Sequence, residues 1–304
     1  MLVCTKMGKK YTYKAFGLIF NSDFKIPELL IGFGNHDVKI ELGRTPSQLQ
    51  KITKKGVKYE ATKNEFLLKV DHIAKYYVRD GEKIIIELLK DKIDKEVRLF
   101  LLGSVFGSLF LQRGLLPIHG SSIKFKNSAT IFTGLSGVGK STLAAHFIRL
   151  SYRALADDIS VVNQHLEVVP GFPGLKIWSD VLDKLEIDNQ SLNEIRPNIK
   201  KFHVPINEQY YSEPVPLKNI VILNTKNSPG FEVEELAGVN KFNAIKNNTY
   251  RYRFVQGLEK QLDHFQILNK LLPAIKVYKV LRPQAPLSLN EFGNFILDNI
   301  NLNG

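Results

Sequence analysis

One cysteine, one tryptophan and two methionines are all that this 304-residue chain holds of those three residue types. A single cysteine, Cys4, excludes an intramolecular disulfide and a cysteine-based zinc site, and it agrees with a reducing compartment. Long hydrophobic runs are missing as well. The most apolar stretch, Leu99 to Leu111, spans 13 residues and is interrupted by two glycines and two serines. A membrane-spanning helix needs about 20 apolar residues, so this stretch reads as a buried core helix. Lys6, Lys9 and Lys10 precede only a short apolar segment, Ala15 to Phe20, with no small-residue cleavage site. That is too little for a secretory signal. The expectation is a cytoplasmic protein without a membrane partner. Neither an internal repeat nor a low-complexity tract is visible.

Acidic residues are also scarce relative to basic ones: 30 Asp and Glu against 42 Lys and Arg, a net charge of +12. An excess of that size calls for an anionic partner, whether nucleotide, phosphoprotein, nucleic acid or acidic lipid. With 44% hydrophobic and 24% charged residues the chain is neither disordered nor fibrous. Its length suffices for one large or two modest domains with a sizeable core.

Two regions differ in pattern. Residues 1–95 read as a small β-rich N-terminal domain, with Tyr11 to Phe20, Val38 to Leu42 and Glu65 to Val70 as β-prone runs. Asp80-Gly81, between Ala74 to Arg79 and Lys83 to Glu87, marks a tight hairpin turn. His36 and His72 stand alone and read as structural or surface residues. Residues 96–304 read as an α/β domain. Val97 to Gln112 has helical spacing and a stop at Gly114. Leu115 to His119 and Ser121 to Phe125 look like one extended segment, turned by Lys126-Asn127 into the strand Ala129 to Thr133. A helix over Lys140 to Leu150 and a short strand over Tyr152 to Ala156 complete the grammar of an α/β nucleotide fold. Pro170 to Gly174 is a turn cluster; Leu217 to Leu223 and Ile275 to Leu281 are further strands. A last helix starts at Ser288, with Glu291 completing the cap signature.

Gly134-Leu-Ser-Gly-Val-Gly139-Lys140-Ser141 satisfies the phosphate-loop pattern G-x-x-x-x-G-K-[ST] in full. A chance match in a chain this long has a probability of roughly one in a hundred, before the strand and helix around it are counted. Glycines let successive backbone N–H groups turn inward on an anion, and the helix start adds partial positive charge. Lys140 then reaches the β- and γ-phosphates, while the Ser141 hydroxyl holds Mg²⁺. The expected nucleotide-binding residues are Gly134, Ser136, Gly137, Val138, Gly139, Lys140, Ser141 and Thr142.

Asp157 and Asp158 follow Lys140 at the end of the next strand, a spacing of 17 residues to the first of them. A loop, a helix and a return strand take about that length, which brings the acids back beside the phosphate loop. One can complete a magnesium shell and the other can orient a hydroxyl nucleophile and take its proton. Adjacent strand residues point to opposite faces, so only a turn at the strand end lets both act. His119, on the strand segment before the loop, is a third candidate whose position near the acids is plausible from the neighbouring-strand reading.

Together His119-Gly120, Gly134 to Ser141 and Ala156-Asp157-Asp158 resemble the kinase domain of HPr kinase/phosphorylase and its relatives. The short separation of phosphate loop and acids is the specific feature. The resemblance implies a P-loop kinase domain of HPr kinase / PEP carboxykinase type with a mixed β-sheet, preceded by the β-rich N-terminal domain. It implies transfer of the γ-phosphoryl group of ATP to a serine hydroxyl, with Mg²⁺. Lys140 and Ser141 would bind phosphate and metal, Asp158 would bind Mg²⁺, Asp157 would be the catalytic base, and His119 would support Asp157. Phe16-Gly17-Leu18, Ile26-Pro27-Glu28-Leu29, Leu101-Leu102-Gly103 and Gln112-Arg113-Gly114 resemble the shorter HPr-kinase-like proteins, including those of lasso-peptide pathways that phosphorylate a serine of the precursor peptide. The chain lacks the downstream signature of HPr kinase/phosphorylase proper that is associated with phosphorolysis, so phosphorolysis, hexamer formation and HPr itself as acceptor are not implied.

The expected activity is thus an ATP- and Mg²⁺-dependent serine kinase acting on a peptide or small protein, a lasso-type precursor or an HPr-like protein being candidates. The alternatives are a small-molecule kinase acting on free serine or another alcohol, and a nucleotide-gated nucleic-acid-binding protein, the weaker reading of the charge. A homo-oligomer is left open. Among lesser candidates, Arg196, Lys200 and Lys201 read as a solvated basic face, the alternative being contact with phosphate or an acidic peptide, and Tyr250 to Phe254, with Arg251 and Arg253 interleaved, as an edge strand, the alternative being single-stranded nucleic-acid binding. Arg282-Pro283 ends a strand with a candidate role in adenine or phosphate binding, and Trp178 reads as core, with base-stacking as the alternative.

Overall fold

The computed structural model describes residues 10–184, 192–196, 199–284 and 288–302. Cys4, Lys6 and Lys9 lie outside the described residues. The N-terminal region forms a nine-stranded sheet from β1 (Tyr11–Ala15), β2 (Leu18–Ser22), β3 (Leu30–Ile31), β4 (Val38–Leu42), β5 (Lys54–Lys55), β6 (Tyr59–Ala61), β7 (Glu65–Val70), β8 (Ala74–Arg79) and β9 (Lys83–Leu88), in the order β3-β1-β2-β4-β9-β8-β7-β6-β5. The run expected over Tyr11 to Phe20 is two strands, because Phe16 and Gly17 both take left-handed φ angles, 53° and 71°, and fold the chain into a hairpin. Asp80 and Gly81 do the same between β8 and β9, at 55° and 69°, which matches the right-handed twist of an antiparallel pair.

Helix α1 (Lys95–Phe100) is capped by Asp94, whose carboxylate accepts from the Glu96 and Val97 N–H groups at 3.0 and 3.1 Å. It runs on through a π-helical turn, Leu101–Val105, into α2 (Phe106–Gln112). Every residue from Leu101 to Leu111 is buried. The apolar run that was too short for a membrane therefore lies under the first sheet, where Phe106 stacks on Phe20 with centroids 4.9 Å apart. No helix among the described residues is long and apolar enough to cross a membrane.

A second, mixed sheet holds β10 (Leu116–Ile118), β11 (Gly120–Phe125), β12 (Ser128–Gly134), β13 (Arg153–Ala156), β14 (Ser160–Val162), β15 (Glu167–Val169), β19 (Val215–Lys226), β20 (Glu232–Glu235) and β21 (Lys276–Pro283). Strand β12 is buried along its whole length, parallel to β19 and antiparallel to β11; β19 is in turn parallel to β21. Burial on both faces explains its continuous β-branched and aromatic run. Phe132 packs towards α3 (Lys140–Arg149) and α8 (Leu289–Asn299). Its neighbour Ile131 packs on the other face with α5 (Gly238–Asn247) and α7 (Gln261–Leu271). The segment expected as one extended piece over 115–125 is two strands: β10 pairs with β14, and β11 with β12 and β13. A small third sheet, β16 (Gly174–Trp178), β17 (Asn193–Arg196) and β18 (Ile199–Pro205), has β18 in the middle; α4 (Ser179–Lys184) follows β16.

Tyr250 to Phe254 is not an edge strand. Arg251 takes a left-handed φ of 54°, which breaks the extended period, and the chain turns into α6 (Arg253–Gly257). The C-terminal cap agrees with its signature: the Ser288 hydroxyl accepts from the Glu291 N–H at 3.3 Å.

Candidate active site

At the end of β12 the backbone must pass close to its parallel neighbour. A Cβ on Gly134 would run into the Leu223 carbonyl oxygen, and its φ of 135° is one that side chains avoid. Gly137 and Gly139 also have positive φ, 85° and 101°, and the space around Gly137 is open. The loop is held from outside by Arg282 on β21, whose guanidinium donates twice to the Val138 carbonyl, at 3.1 and 3.0 Å. Lys140 is buried and donates its Nζ to the carbonyls of Gly134 and Leu135, at 3.0 and 2.9 Å. Burial lowers its pKa, against the opposing pull of Asp157 and Asp158.

The two acids come off β13 at Ala156 and are separated by a turn, since Asp158 has a left-handed φ of 71°. The Asp157 carboxylate is buried and accepts from the Ser141 hydroxyl at 2.9 Å, the Ser121 hydroxyl at 2.5 Å and the Lys176 backbone N–H at 2.7 Å. The Asp158 carboxylate accepts from the Lys176 ammonium at 2.6 Å. His119 Nδ1 lies 2.9 Å from the Asp158 carbonyl oxygen and 3.7 Å from its carboxylate. Because a carbonyl only accepts, that nitrogen carries the proton in the neutral ring.

These contacts pair Ser141 with Asp157 and His119 with Asp158. The resemblance had implied the opposite pairing, His119 with Asp157 and the metal-side hydroxyl with Asp158. At the turn between the acids, the Asp157 carboxylate is taken by Ser141 and Ser121 and the Asp158 carboxylate by Lys176. Burial would raise the Asp158 pKa, but Lys176, with His119 and Lys201, holds it well below the usual carboxylate range. Burial lowers the pKa of His119, with Asp158 pulling the other way and Lys140 adding to the burial effect. The histidine backbone is fixed too: the Asn248 carbonyl accepts its N–H at 2.9 Å, and the Thr133 hydroxyl lies 2.7 Å from its carbonyl.

Two cavities open here. One, of 690 Å³, is lined by the loop from Ser136 to Leu143 together with Trp178, Lys201 and Arg282. The other, of 540 Å³, lies between the π-helical turn and the 247–251 segment, with Leu99, Phe100, Leu135 and Arg251 along it. They share His119, Ser136, Asp158 and Lys176, and Asp157 borders neither. Among the described residues no group of three His, Cys, Asp or Glu side chains is placed to hold a metal ion.

Sequence reasoning missed Lys176, which touches both acids. Its alternation with Trp178 along β16 was a faint signal. Trp178, expected in the core, is 41% exposed in the first cavity. Lys201, expected on a solvated face, lines the same cavity; the Arg196 side chain lies outside the described residues.

No family model matches the chain, and no curated protein matches it. Solved structures do: one is the HPr(Ser) kinase/phosphatase from Coxiella burnetii, with 11% sequence identity over 60% of this chain and 88% of that one, at a TM-score of 0.31. A likeness that faint says nothing of activity.

Proposed function

We propose that this chain is an ATP- and Mg²⁺-dependent phosphotransferase that moves the γ-phosphoryl group to a serine hydroxyl of a peptide or small protein. The observation that carries the reading is the meeting of two cavities at His119, Ser136, Asp158 and Lys176. A phosphate held by the glycine loop and a hydroxyl entering from the other side then face each other across one carboxylate. The second cavity, at 540 Å³ and with apolar Leu99, Phe100 and Leu135 along it, is of the size that encloses a drug-sized ligand. A free serine would leave most of it empty, which favours a larger acceptor.

Magnesium keeps several waters and takes only one or two protein oxygens beside the phosphates; the Ser141 hydroxyl lines the first cavity and fits as one of them, and the buried Asp157 carboxylate, 2.9 Å behind that hydroxyl, would orient it towards the ion. When bound, the ion would neutralise charge on the β- and γ-phosphates. Asp158 would align the acceptor hydroxyl and receive its proton as the new P–O bond forms and the bond to the β–γ bridging oxygen breaks. With its pKa held low Asp158 is a weak base, which suits a loose transition state that asks mainly for alignment. Lys140 would leave the loop carbonyls for the phosphates. Relative to the resemblance, the roles of the two aspartates are exchanged.

The test is to incubate the protein with γ-labelled ATP, Mg²⁺, a library of serine-containing peptides and free serine. Label is expected in peptide. Asp158→Asn should keep ADP binding and lose transfer, whereas Asp157→Asn should raise the Mg²⁺ requirement about tenfold or more. Label confined to free serine would overturn the peptide acceptor, and full transfer by Asp158→Asn would overturn its role.

A further inference from the structure

The 690 Å³ cavity is lined by two chemically different sets of groups: the glycine-loop residues with Lys140 and Arg282, and the apolar Trp178, Val181 and Phe292. Residues two apart on a strand share a face, so Lys176 and Trp178 project together from β16, about 7 Å apart along it. Lys176 is the residue bonded to Asp158, and this alternation therefore sets the indole one strand repeat from the Lys176–Asp158 pair. Strand β18 runs antiparallel alongside and puts Lys201 opposite Trp178. The Lys201 ammonium lies 5.7 Å from the indole centroid, and its charge is felt at Lys140 and Asp158, so it is near both the indole and the loop. Large aromatic side chains are normally well covered, yet this one is 41% exposed inside a cavity.

We infer that this cavity takes a nucleoside polyphosphate and not a bare polyphosphate, with the base stacked against the Trp178 indole and Lys201 over the phosphates nearest the ribose. The inference rests on the nucleotide reading given above and adds to it the residue that recognises the base. Stacking on an aromatic ring tolerates any base because every base has a π-face. Adenine and guanine nucleotides are therefore both admitted by this contact.

Trp178 is the single tryptophan, so intrinsic fluorescence of the full chain reports on this position alone. Titration with Mg²⁺-ADP should change the emission, whereas Mg²⁺-tripolyphosphate should bind, as followed by calorimetry, and leave it unchanged. Trp178→Ala should weaken ADP about tenfold or more and tripolyphosphate by less than about twofold; Trp178→Phe should restore ADP to within about threefold. Equal affinity of the wild-type protein for ADP and tripolyphosphate, or an alanine variant that binds ADP as tightly as wild type, would overturn the inference while leaving the phosphate site standing. Failure of both ligands to bind would overturn the nucleotide reading, and the inference with it.

Discussion

The Lys176 ammonium stands 2.6 Å from the Asp158 carboxylate. Through its backbone N–H the same residue also holds Asp157, at 2.7 Å. One residue of β16 thus fixes both acids, one by charge and one by a main-chain bond, and so ties the small third sheet to the loop from Gly134 to Ser141. Its own pKa is raised: burial opposes the charge, but Asp158 prevails.

Replacing that charge should move the pH profile in a defined direction. In Lys176→Met the cation that holds the Asp158 pKa down is gone, and burial, the largest influence on this carboxyl, then pushes it up. In the proposed mechanism Asp158 must be ionised to receive a hydroxyl proton. The acid limb of phosphotransfer should accordingly move towards neutral pH by about one unit or more. The main-chain bond to Asp157 survives the substitution, so the Mg²⁺ requirement should change little. A pH profile that superimposes on wild type would show that Asp158 does not set the acid limb.

Arg282→Ala tests the outer clamp of the loop. Two donated hydrogen bonds to the Val138 carbonyl disappear, and charged donors contribute about 1.5–3 kcal/mol each where they are shielded. Because the guanidinium is partly exposed and both bonds share one acceptor, the pair counts as one bond at the lower end, about 1.5 kcal/mol, and ADP affinity measured by calorimetry should fall about tenfold. Unchanged affinity would mean that the loop holds its shape without Arg282.

How much of this was legible beforehand depends on how local each cause is. The run from Gly134 to Ser141 and the cap at Ser288 are written in consecutive residues, and the loop, helix and cap follow directly. That Asp157 and Asp158 leave a short strand was readable as well. Which partner each acid takes was not, because a single left-handed residue, Asp158, decides it, and aspartate also adopts ordinary angles. The turns at Phe16 and Arg251 were hidden for the same reason, being left-handed angles on residues other than glycine or asparagine. Lys176, Lys201 and Trp178 converge only because β16 and β18 pair across a long gap in sequence, and nothing in either segment alone announces that pairing.

Helix α8 is seated on α3 through a contact in which glycine is required. A Cβ on Gly293 would run into the imidazole of His146, which is buried on α3. Gly293→Ala should therefore destabilise the fold by about 1–3 kcal/mol through overpacking, in spite of the better helix propensity of alanine. Urea unfolding gives the number directly. A gain in stability would show that the imidazole has room to move, and that α8 is packed more loosely than its buried Phe292 and Ile296 indicate.

His264 on α7 makes the protein sensitive to mild acid. Its side chain is 7% exposed, and Nε2 lies 2.9 Å from the Thr249 hydroxyl. Burial, aided by the charge of Lys246, lowers its pKa to about 4, against about 6.5 in an unfolded chain. Between those values the unfolded state binds more protons than the folded one, so stability rises with pH across that window. The contribution is complete above about pH 6.5 and is lost as pH falls to about 4, amounting to at most about 3 kcal/mol. Burial also lowers the pKa values of His119, His146 and His203, which adds slope of the same sign. The difference between wild type and His264→Gln isolates the one residue: urea midpoints measured from pH 7 down to pH 4 should fall more steeply for wild type. Parallel curves would mean that His264 is protonated as easily in the folded chain as in the unfolded one.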